Sequence, residues 1–318
     1  MPAAPGPLTC ASVSRPFVII AAVVIVAAGV IAVVQRDSDP RPSREAGIAA
    51  STSPRATSST SGVTPRESAA DIVARAESAD VPGDVVDVVR ASEGAIRDPR
   101  TPAADLPMWA RAQQIVYREL ARHPEWDGEV SAALGGELAV IASGHAGAFR
   151  ELWALTDPRD ELPEWEIVAP PPAEELLGYY RAAEAEFGVG WEYLAAIHLV
   201  ETRMGRIRGL STAGARGPMQ FIPSTWEAYG EGDIDDPNDA IAAAARYLIA
   251  AGAPTDMQRA LFAYNHSDHY VAAVQTYAAF MRADERAYLG YYHWEVYYRL
   301  KTGDVVLPVG WTKADGSP

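Results

Sequence analysis

An uncharged apolar run near the amino terminus constrains this chain more than any other feature. Residues 17–34 read FVIIAAVVIVAAGVIAVV, which is 18 residues without a charge. A helix rises roughly 1.5 Å per residue, so the run would be about 27 Å long, close to the thickness of a bilayer core. A signal peptide has a shorter apolar region that ends in a small-x-small site, and none follows Val34. We therefore predict a retained transmembrane anchor over 17–34, after a short cytoplasmic amino terminus at 1–16.

The charges around this run leave its orientation open. Arg15 precedes the run and three arginines follow it, which slightly favours a cytoplasmic position for the rest of the chain. We place the bulk of the chain on the extracytoplasmic side because of the chemistry of its later segments. Residues 35–68 are rich in Ser, Thr, Pro and Arg and predict a disordered tether. About 33 flexible residues would reach roughly 30–35 Å.

Two helical regions follow the tether. Residues 69–160 predict a helical accessory region, since the stretch MWARAQQIVYRELARHPEW places apolar side chains on one helix face. After a Pro-rich junction at 161–173, residues 174–285 predict a second helical domain. It should contain an apolar helix over Trp191–Val200 and a helix that Asp236 caps and Pro237 begins.

The carboxyl-terminal residues differ from both helical regions. Residues 286–318 form an aromatic tail in which Tyr288–Arg299 is β-prone, and a turn at Thr302–Asp304 favours a hairpin. The expected fold class is therefore mainly α, with a short β-hairpin-like tail.

Composition excludes several classes of function. The net charge is −15, which argues against a nucleic-acid partner because phosphate-backbone binders carry basic faces. A single cysteine excludes an intrachain disulfide framework and a Cys-rich zinc module. The pairs His198-x-x-Glu201 and His266-x-x-His269 do not match the helical H-E-x-x-H zinc pattern. We expect neither a metal nor a cofactor.

The most informative stretch runs from Ile197 to Trp226, IHLVETRMGRIRGLSTAGARGPMQFIPSTW. Its Glu201 ends an apolar helix, so part of its surroundings should be apolar. Burial raises the pKa of a carboxyl and lets it keep a proton near neutral pH, as a general acid at a glycosidic oxygen requires. Taken alone, such a glutamate is more commonly solvated or paired with arginines, and three arginines follow within seven residues.

Context changes that interpretation, because the block resembles the catalytic core of lytic transglycosylases. These lysozyme-like enzymes cleave bacterial peptidoglycan, and the chain is most similar to the membrane-bound lytic transglycosylase B-like group of actinobacteria. The resemblance covers about Glu174–Met281. The matching motifs are Glu201-Thr202, Gly205, Ser211 to Gln220 (STAGARGPMQ), FIPSTW, DPNDAIAAAARYL and Ala263-Tyr264-Asn265.

The resemblance implies a lysozyme-like fold and a role for each matching residue. Glu201 would be the single catalytic acid and base, with Ser211 near it to orient the carboxyl or the substrate. The residues implied in glycan binding are Ser211, Met219, Gln220, Phe221, Tyr264 and Asn265. Gly214 and Gly217 would let the loop backbone approach sugar. Arg203 and Arg216 are candidate contacts for anionic groups of the substrate.

The implied reaction cleaves the bond between N-acetylmuramic acid and N-acetylglucosamine and leaves a 1,6-anhydro sugar. The implied partners are peptidoglycan strands and, through residues 17–34, the cell membrane, with the catalytic domain on the wall side. Partners among other cell-wall enzymes stay open. Two alternatives remain at this point: a hydrolytic muramidase with a second carboxylate, for which Asp233, Asp235 and Asp236 are candidates, and a scaffold that binds glycan without cutting it.

Overall fold

The computed structural model describes residues 67–315. The predicted amino terminus at 1–16, the anchor at 17–34 and the tether as far as residue 66 lie outside these residues. Within 67–315, no helix combines the length and the apolar character needed to cross a membrane.

Helices dominate the described residues, which confirms a mainly α fold. In chain order the helices are α1 (Ala69–Glu77), α2 (Pro82–Arg97), α3 (Leu106–Arg122), α4 (Asp127–Leu134), α5 (Gly136–Ala154), α6 (Ala173–Phe187), α7 (Trp191–Thr202), α8 (Pro223–Tyr229), α9 (Pro237–Ala251), α10 (Met257–Asn265), α11 (Asp268–Ala283) and α12 (Ala287–His293). The strands are β1 (Glu166–Ile167), β2 (Ile207–Arg208), β3 (Val296–Leu300) and β4 (Gly303–Leu307).

Local sequence signals explain where several helices begin and end. Ser68 and Asp71 form a capping box that starts α1. The Asp236 carboxylate accepts hydrogen bonds from the N–H groups of Asn238 and Asp239, and Pro237 occupies the first position of α9, which confirms the predicted start of this helix. Gly188 ends α6 in the left-handed region, with φ of +73°.

The helices before and after the Pro-rich junction share one hydrophobic core. This core is continuous from Ile72 in α1 to Trp294 after α12. Helix α11 lies at its centre and packs against α5 on one side and α7 on the other. The approach of α5 to α11 is close, because a Cβ atom on Gly144 would lie 2.5 Å from the Phe280 ring. The boundary predicted near residue 160 stays a prediction, and no gap in the packing marks it.

A buried carboxylate joins the same two regions. Glu93 of α2 is 1% exposed and accepts hydrogen bonds from Tyr117 (2.5 Å), Gln113 (2.7 Å) and Arg97 (2.8 Å). Gln113 in turn accepts one from the indole N–H of Trp294 at 2.9 Å. Burial alone would raise the pKa of Glu93, but the His145 ring, the Arg97 guanidinium and the Tyr117 hydroxyl together hold it below the usual range.

The aromatic tail is in part helical, which corrects the prediction for its first residues. Residues Tyr288 to His293 lie in α12 rather than in a strand. Tyr288 and Tyr291, three positions apart, both face the core and are 1% exposed. The burial of two large side chains on one helix face outweighs the β propensity of the tyrosines.

The predicted hairpin forms from β3 and β4, but its turn differs by residue. Lys301 and Thr302 connect the strands, while Gly303 and Asp304 already belong to β4 and pair with Leu300 and Arg299. Asp304 is held there by ion pairs with Arg118 and Arg122 of α3.

A second, smaller core lies under this hairpin. It contains Ile167 of β1, Val296 of β3, Leu307 of β4 and Trp311. Strand β1 pairs antiparallel with β2, and the backbone of Ile167 also exchanges hydrogen bonds with Gly310 and Trp311. The carboxyl-terminal tail is therefore connected through β1 to the segment that directly follows α7.

Removing the buried carboxylate tests how the two helical regions depend on each other. Glu93→Ala leaves the Tyr117 hydroxyl and the Gln113 side-chain N–H without their acceptor, and leaves Arg97 with Asp284 alone. We therefore expect a loss of about 3 kcal/mol in the free energy of unfolding. Urea denaturation measures this loss. Glu129→Ala, at an exposed position of α4, is the control and should change stability by less than about 0.5 kcal/mol. Equal stability of the two variants would contradict a structural role for Glu93.

Candidate active site

The site is built on the carboxyl end of α7 and the sharp turn after it. Three successive residues, Arg203, Met204 and Gly205, have positive φ values of 53°, 61° and 83°. Only glycine adopts such a conformation readily, so two of the three positions are strained. Thr202 stabilises the turn, because its hydroxyl donates to the Pro218 carbonyl (2.6 Å) and accepts from the Gly205 N–H (3.1 Å).

Glu201 lies at this end of α7, partly exposed and otherwise surrounded by protein. Burial raises the pKa of its carboxyl to about 7, and the hydroxyl of Tyr270, which donates to Oε1 at 2.8 Å, opposes part of that rise. Near neutral pH the carboxyl is therefore divided between its protonated and ionised forms. Such a group can give up a proton in one step and take one back in the next.

Tyr270 is a site residue that sequence reasoning missed. It lies in the first turn of α11 and is 1% exposed. Its ring is parallel to that of Tyr264 (interplanar angle 4°), with the ring centroids 6.3 Å apart. In the sequence Tyr270 looks like any aromatic residue on the buried face of a helix. Only the packing of α11 against α7 reveals its contact with Glu201.

Of the two candidate residues from α10, Tyr264 lies at this site, with its ring beside that of Tyr270. Tyr264 is 8% exposed, and its hydroxyl donates to the Met219 carbonyl at 2.8 Å. The carbonyl oxygen of the Asn265 side chain is buried and has no hydrogen-bond partner among residues 67–315. Because buried polar atoms nearly always have a partner, this oxygen is a candidate acceptor for a substrate N–H or O–H group.

Ser211 stabilises its own loop, which is a role that the resemblance did not imply. Its hydroxyl accepts hydrogen bonds from the N–H groups of Ala213 (3.2 Å) and Ala215 (3.0 Å), which folds its own loop. Within the described residues no hydrogen bond joins Ser211 to Glu201, so its expected role in orienting the carboxyl has no support from this geometry.

Gly217 is also explained by packing rather than by the expected approach of the backbone to sugar. It has a φ of +76°, and a Cβ atom there would collide with the carbonyl oxygen of Ile234. The glycine is thus required for packing between two loops. Gly214 has a φ of +78° and no atom within 4 Å of its absent Cβ, and its expected approach to sugar stays a prediction.

Of the next three residues of the motif, two are buried and one is partly exposed. Met219 and Phe221 are 0% and 3% exposed, and the Phe221 ring packs against Trp226 and Tyr264. Gln220 is partly exposed, has a φ of +51°, and donates from its side chain to the Gly217 carbonyl at 3.0 Å. The burial of Met219 and Phe221 favours a packing role for both. Gln220 is the one of the three whose side chain is exposed enough to contact a ligand.

The two candidate arginines face different surroundings. The Arg216 guanidinium forms an ion pair with Asp235 on the surface. The Arg203 side chain folds back and donates to the Leu199 carbonyl at 2.9 Å, and burial lowers the pKa of its guanidinium. Neither geometry reaches toward Glu201.

The alternatives of a metal centre and a second carboxylate can be compared with the same geometry. His198 is fully buried, and its Nδ1 lies 2.7 Å from the Tyr180 hydroxyl. No group of three or more His, Cys, Asp or Glu side chains within 67–315 is arranged to hold a metal ion. Asp235 is paired with Arg216, and Asp236 caps α9. The Asp233 carboxylate accepts from the N–H of Asp235 at 2.9 Å.

The hydrogen bond from Tyr270 makes a testable contribution to the Glu201 pKa. Tyr270→Phe removes a donor that favours the ionised carboxylate, so the pKa of Glu201 should rise further above 7. Carbon-detected NMR titration of the labelled glutamate carboxyl measures the shift. Tyr277→Phe is a matched control two turns along α11, since the Tyr277 hydroxyl is buried and has no hydrogen-bond partner within residues 67–315. An unchanged or lower pKa in Tyr270→Phe would contradict this assignment.

One comparison with known proteins covers the site. Residues 178–285 match the family model described as the Transglycosylase SLT domain. No curated protein and no solved structure matched the chain. The matched residues include Glu201, Tyr264 and Tyr270, and they run from the first half of α6 into the connection between α11 and α12. The membrane-bound, actinobacterial subtype stays a prediction, and residues 178–285, about a third of the chain, are similar to the Transglycosylase SLT domain family.

Proposed function

We propose that this protein is a peptidoglycan lytic transglycosylase in which Glu201 acts first as the acid and then as the base. The observation that carries the proposal is a single partly buried carboxyl whose pKa is about 7, within the residues that match the family model. A two-carboxylate glycosidase needs a second acidic group across the scissile bond. The three aspartates considered for that role are occupied in an ion pair, a helix cap and a loop turn.

In the proposed first step, protonated Glu201 donates its proton to the oxygen between N-acetylmuramic acid and N-acetylglucosamine. The bond from that oxygen to the muramyl C1 breaks, and the N-acetyl group of the same sugar stabilises the positive charge at C1. Glu201 is left ionised, and the Tyr270 hydroxyl stabilises this form through its hydrogen bond.

In the second step, the muramyl 6-hydroxyl attacks C1 and gives its proton to Glu201. The products are a 1,6-anhydromuramyl end and an N-acetylglucosamine end, and no water is consumed. The carboxyl returns to its protonated form, so one group serves both steps. A pKa near the working pH suits this exchange better than that of an exposed glutamate would.

Replacement of the carboxyl tests the mechanism. Glu201→Gln keeps the size of the side chain but cannot exchange the proton, so we expect at least a 100-fold lower rate of wall cleavage. Mass spectrometry of fragments released from purified cell walls measures both rate and product. Glu186→Gln, at an exposed position of α6, is the control and should cleave like the wild type.

The products decide between the proposal and its alternatives. Fragments with anhydro ends support a lytic transglycosylase, whereas reducing ends would show a hydrolytic muramidase. Binding of cell walls by the wild type without release of fragments would show a scaffold. Full activity of the Glu201→Gln variant would show that Glu201 is not the catalytic residue.

We further propose that residues 17–34 anchor the protein in the cell membrane, with the catalytic domain on the wall side. The support is the uncharged apolar run and the location of the proposed substrate. Protease treatment of intact spheroplasts tests this placement: the domain should be digested while a cytoplasmic marker survives. Protection of the domain until the cells are lysed would contradict the proposed orientation.

A further inference from the structure

A cavity of about 230 Å³ lies beside the candidate active site and plays no part in the proposed chemistry. Glu201 and Tyr270 do not line it. Its polar wall is formed by Arg208, Arg216 and Asp235, and an apolar portion includes Leu210 and Pro218. Cavities that combine apolar walls with a few polar groups are the usual form of a ligand site.

Arg208 is the feature of this cavity that calls for a ligand. Its side chain is exposed, and within residues 67–315 no carboxylate lies within ion-pair distance of it. Arg216 across the cavity is already neutralised by Asp235. In a chain with a net charge of −15, an unpaired guanidinium in a concave surface is a localised site for an anion.

The backbone around Arg208 is held by strand pairing, so the point from which its side chain extends has a defined position. Arg208 pairs with Glu166 in the β1–β2 ladder. The next residue, Gly209, has a φ of +148°, and a Cβ atom there would lie 2.7 Å from the Trp165 ring. Since β1 in turn contacts the carboxyl-terminal tail, the second core supports this wall of the cavity.

The cavity is continuous with the loops of the active site. Gly205, four residues after Glu201, forms part of its wall, as do Gly217 and Pro218. The Pro218 carbonyl accepts the hydrogen bond from Thr202, the residue next to Glu201. The cavity is therefore a neighbour of the Glu201 site that shares the turn after α7 with it.

The apolar wall indicates which other groups the ligand carries besides its anionic group. Leu210 is 62% exposed, and Ile207, Pro171 and Pro237 also line the cavity. These groups suit small apolar side chains such as methyl groups. A short peptide with a free carboxylate combines both properties.

We propose that this cavity binds a carboxylate of the peptide attached to the glycan strand, with Arg208 as its bidentate partner. The proposal rests on the proposed function, since it assumes a peptidoglycan substrate. It commits to the peptide rather than to the lactyl group of muramic acid, because the lactyl carboxyl is an uncharged amide wherever a peptide is attached. Arg208 acts in substrate recognition and takes no part in proton transfer.

The test compares variants of the full chain on three forms of one cell wall. The first is untreated, the second has its peptide carboxylates converted to amides with a carbodiimide and ammonium chloride, and the third has its peptides removed by an amidase. Arg208→Gln should lower kcat/KM about fivefold to tenfold on the untreated wall and leave it unchanged on the other two. Arg208→Lys should recover part of the loss on the untreated wall. Arg259→Gln, at an exposed arginine of α10 that forms no ion pair within the described residues, is the control and should have no effect.

Three results would overturn the proposal. One is an equal loss on the untreated and amidated walls, since Arg208 would then act without recognising a carboxylate. Another is a loss that persists on the peptide-free glycan, which would assign the lactyl group instead. The third is the absence of a loss on any wall.

A binding assay keeps this outcome separate from that of the proposed function. Cosedimentation with untreated walls compares the Glu201→Gln variant with the Glu201→Gln, Arg208→Gln double variant. About fivefold weaker binding of the double variant supports the cavity even if the wild type cleaves no wall, in which case only the proposed function fails. Equal binding by both variants counts against the cavity.

Discussion

The burial of the Glu201 carboxyl at the end of α7 is the constraint on which the site depends. An exposed glutamate would be fully ionised at neutral pH, and only the surrounding protein raises its pKa to about 7. That surrounding comes from α11, whose first turn supplies the Tyr270 hydroxyl. Helix α11 is held in turn by α5 from the amino-terminal helices. The helices before the Pro-rich junction therefore support the helix that supplies Tyr270 to the candidate site.

The turn after α7 adds a second dependence. Arg203 and Met204 adopt strained positive φ values that the chain tolerates because Thr202 ties the turn to Pro218. Beyond the turn, β2 pairs with β1, and β1 contacts the tail at Gly310 and Trp311. The aromatic tail thus supports the loop that follows Glu201. The same contacts position Arg208 at the adjacent cavity.

Local signals in the sequence predicted much of the fold. The Asp236 cap, the apolar α7 and the hairpin all follow from residue types that act on their immediate neighbours. The errors arose where distant contacts decided the outcome. Tyr288 to His293 became helical because the core accepts Tyr288 and Tyr291 from one helix face. The hairpin turn shifted to Lys301 and Thr302, and Arg118 and Arg122 of α3 pair with the Asp304 that the shift places in β4.

The candidate site, like the fold, was predicted from the sequence only where neighbouring residues decide the outcome. The sequence by itself determined that Glu201 ends an apolar helix and that the motifs around it resemble those of lytic transglycosylases, because these are properties of neighbouring residues and their spacing. Only the tertiary structure decided which groups surround the carboxyl: Tyr270 donates to it, whereas Ser211 binds its own loop and Arg216 binds Asp235. The physical reason is that a pKa and a hydrogen bond depend on distances of a few ångströms between side chains. Tyr270 is 69 residues from Glu201 along the chain, and packing of α11 against α7 brings the two together.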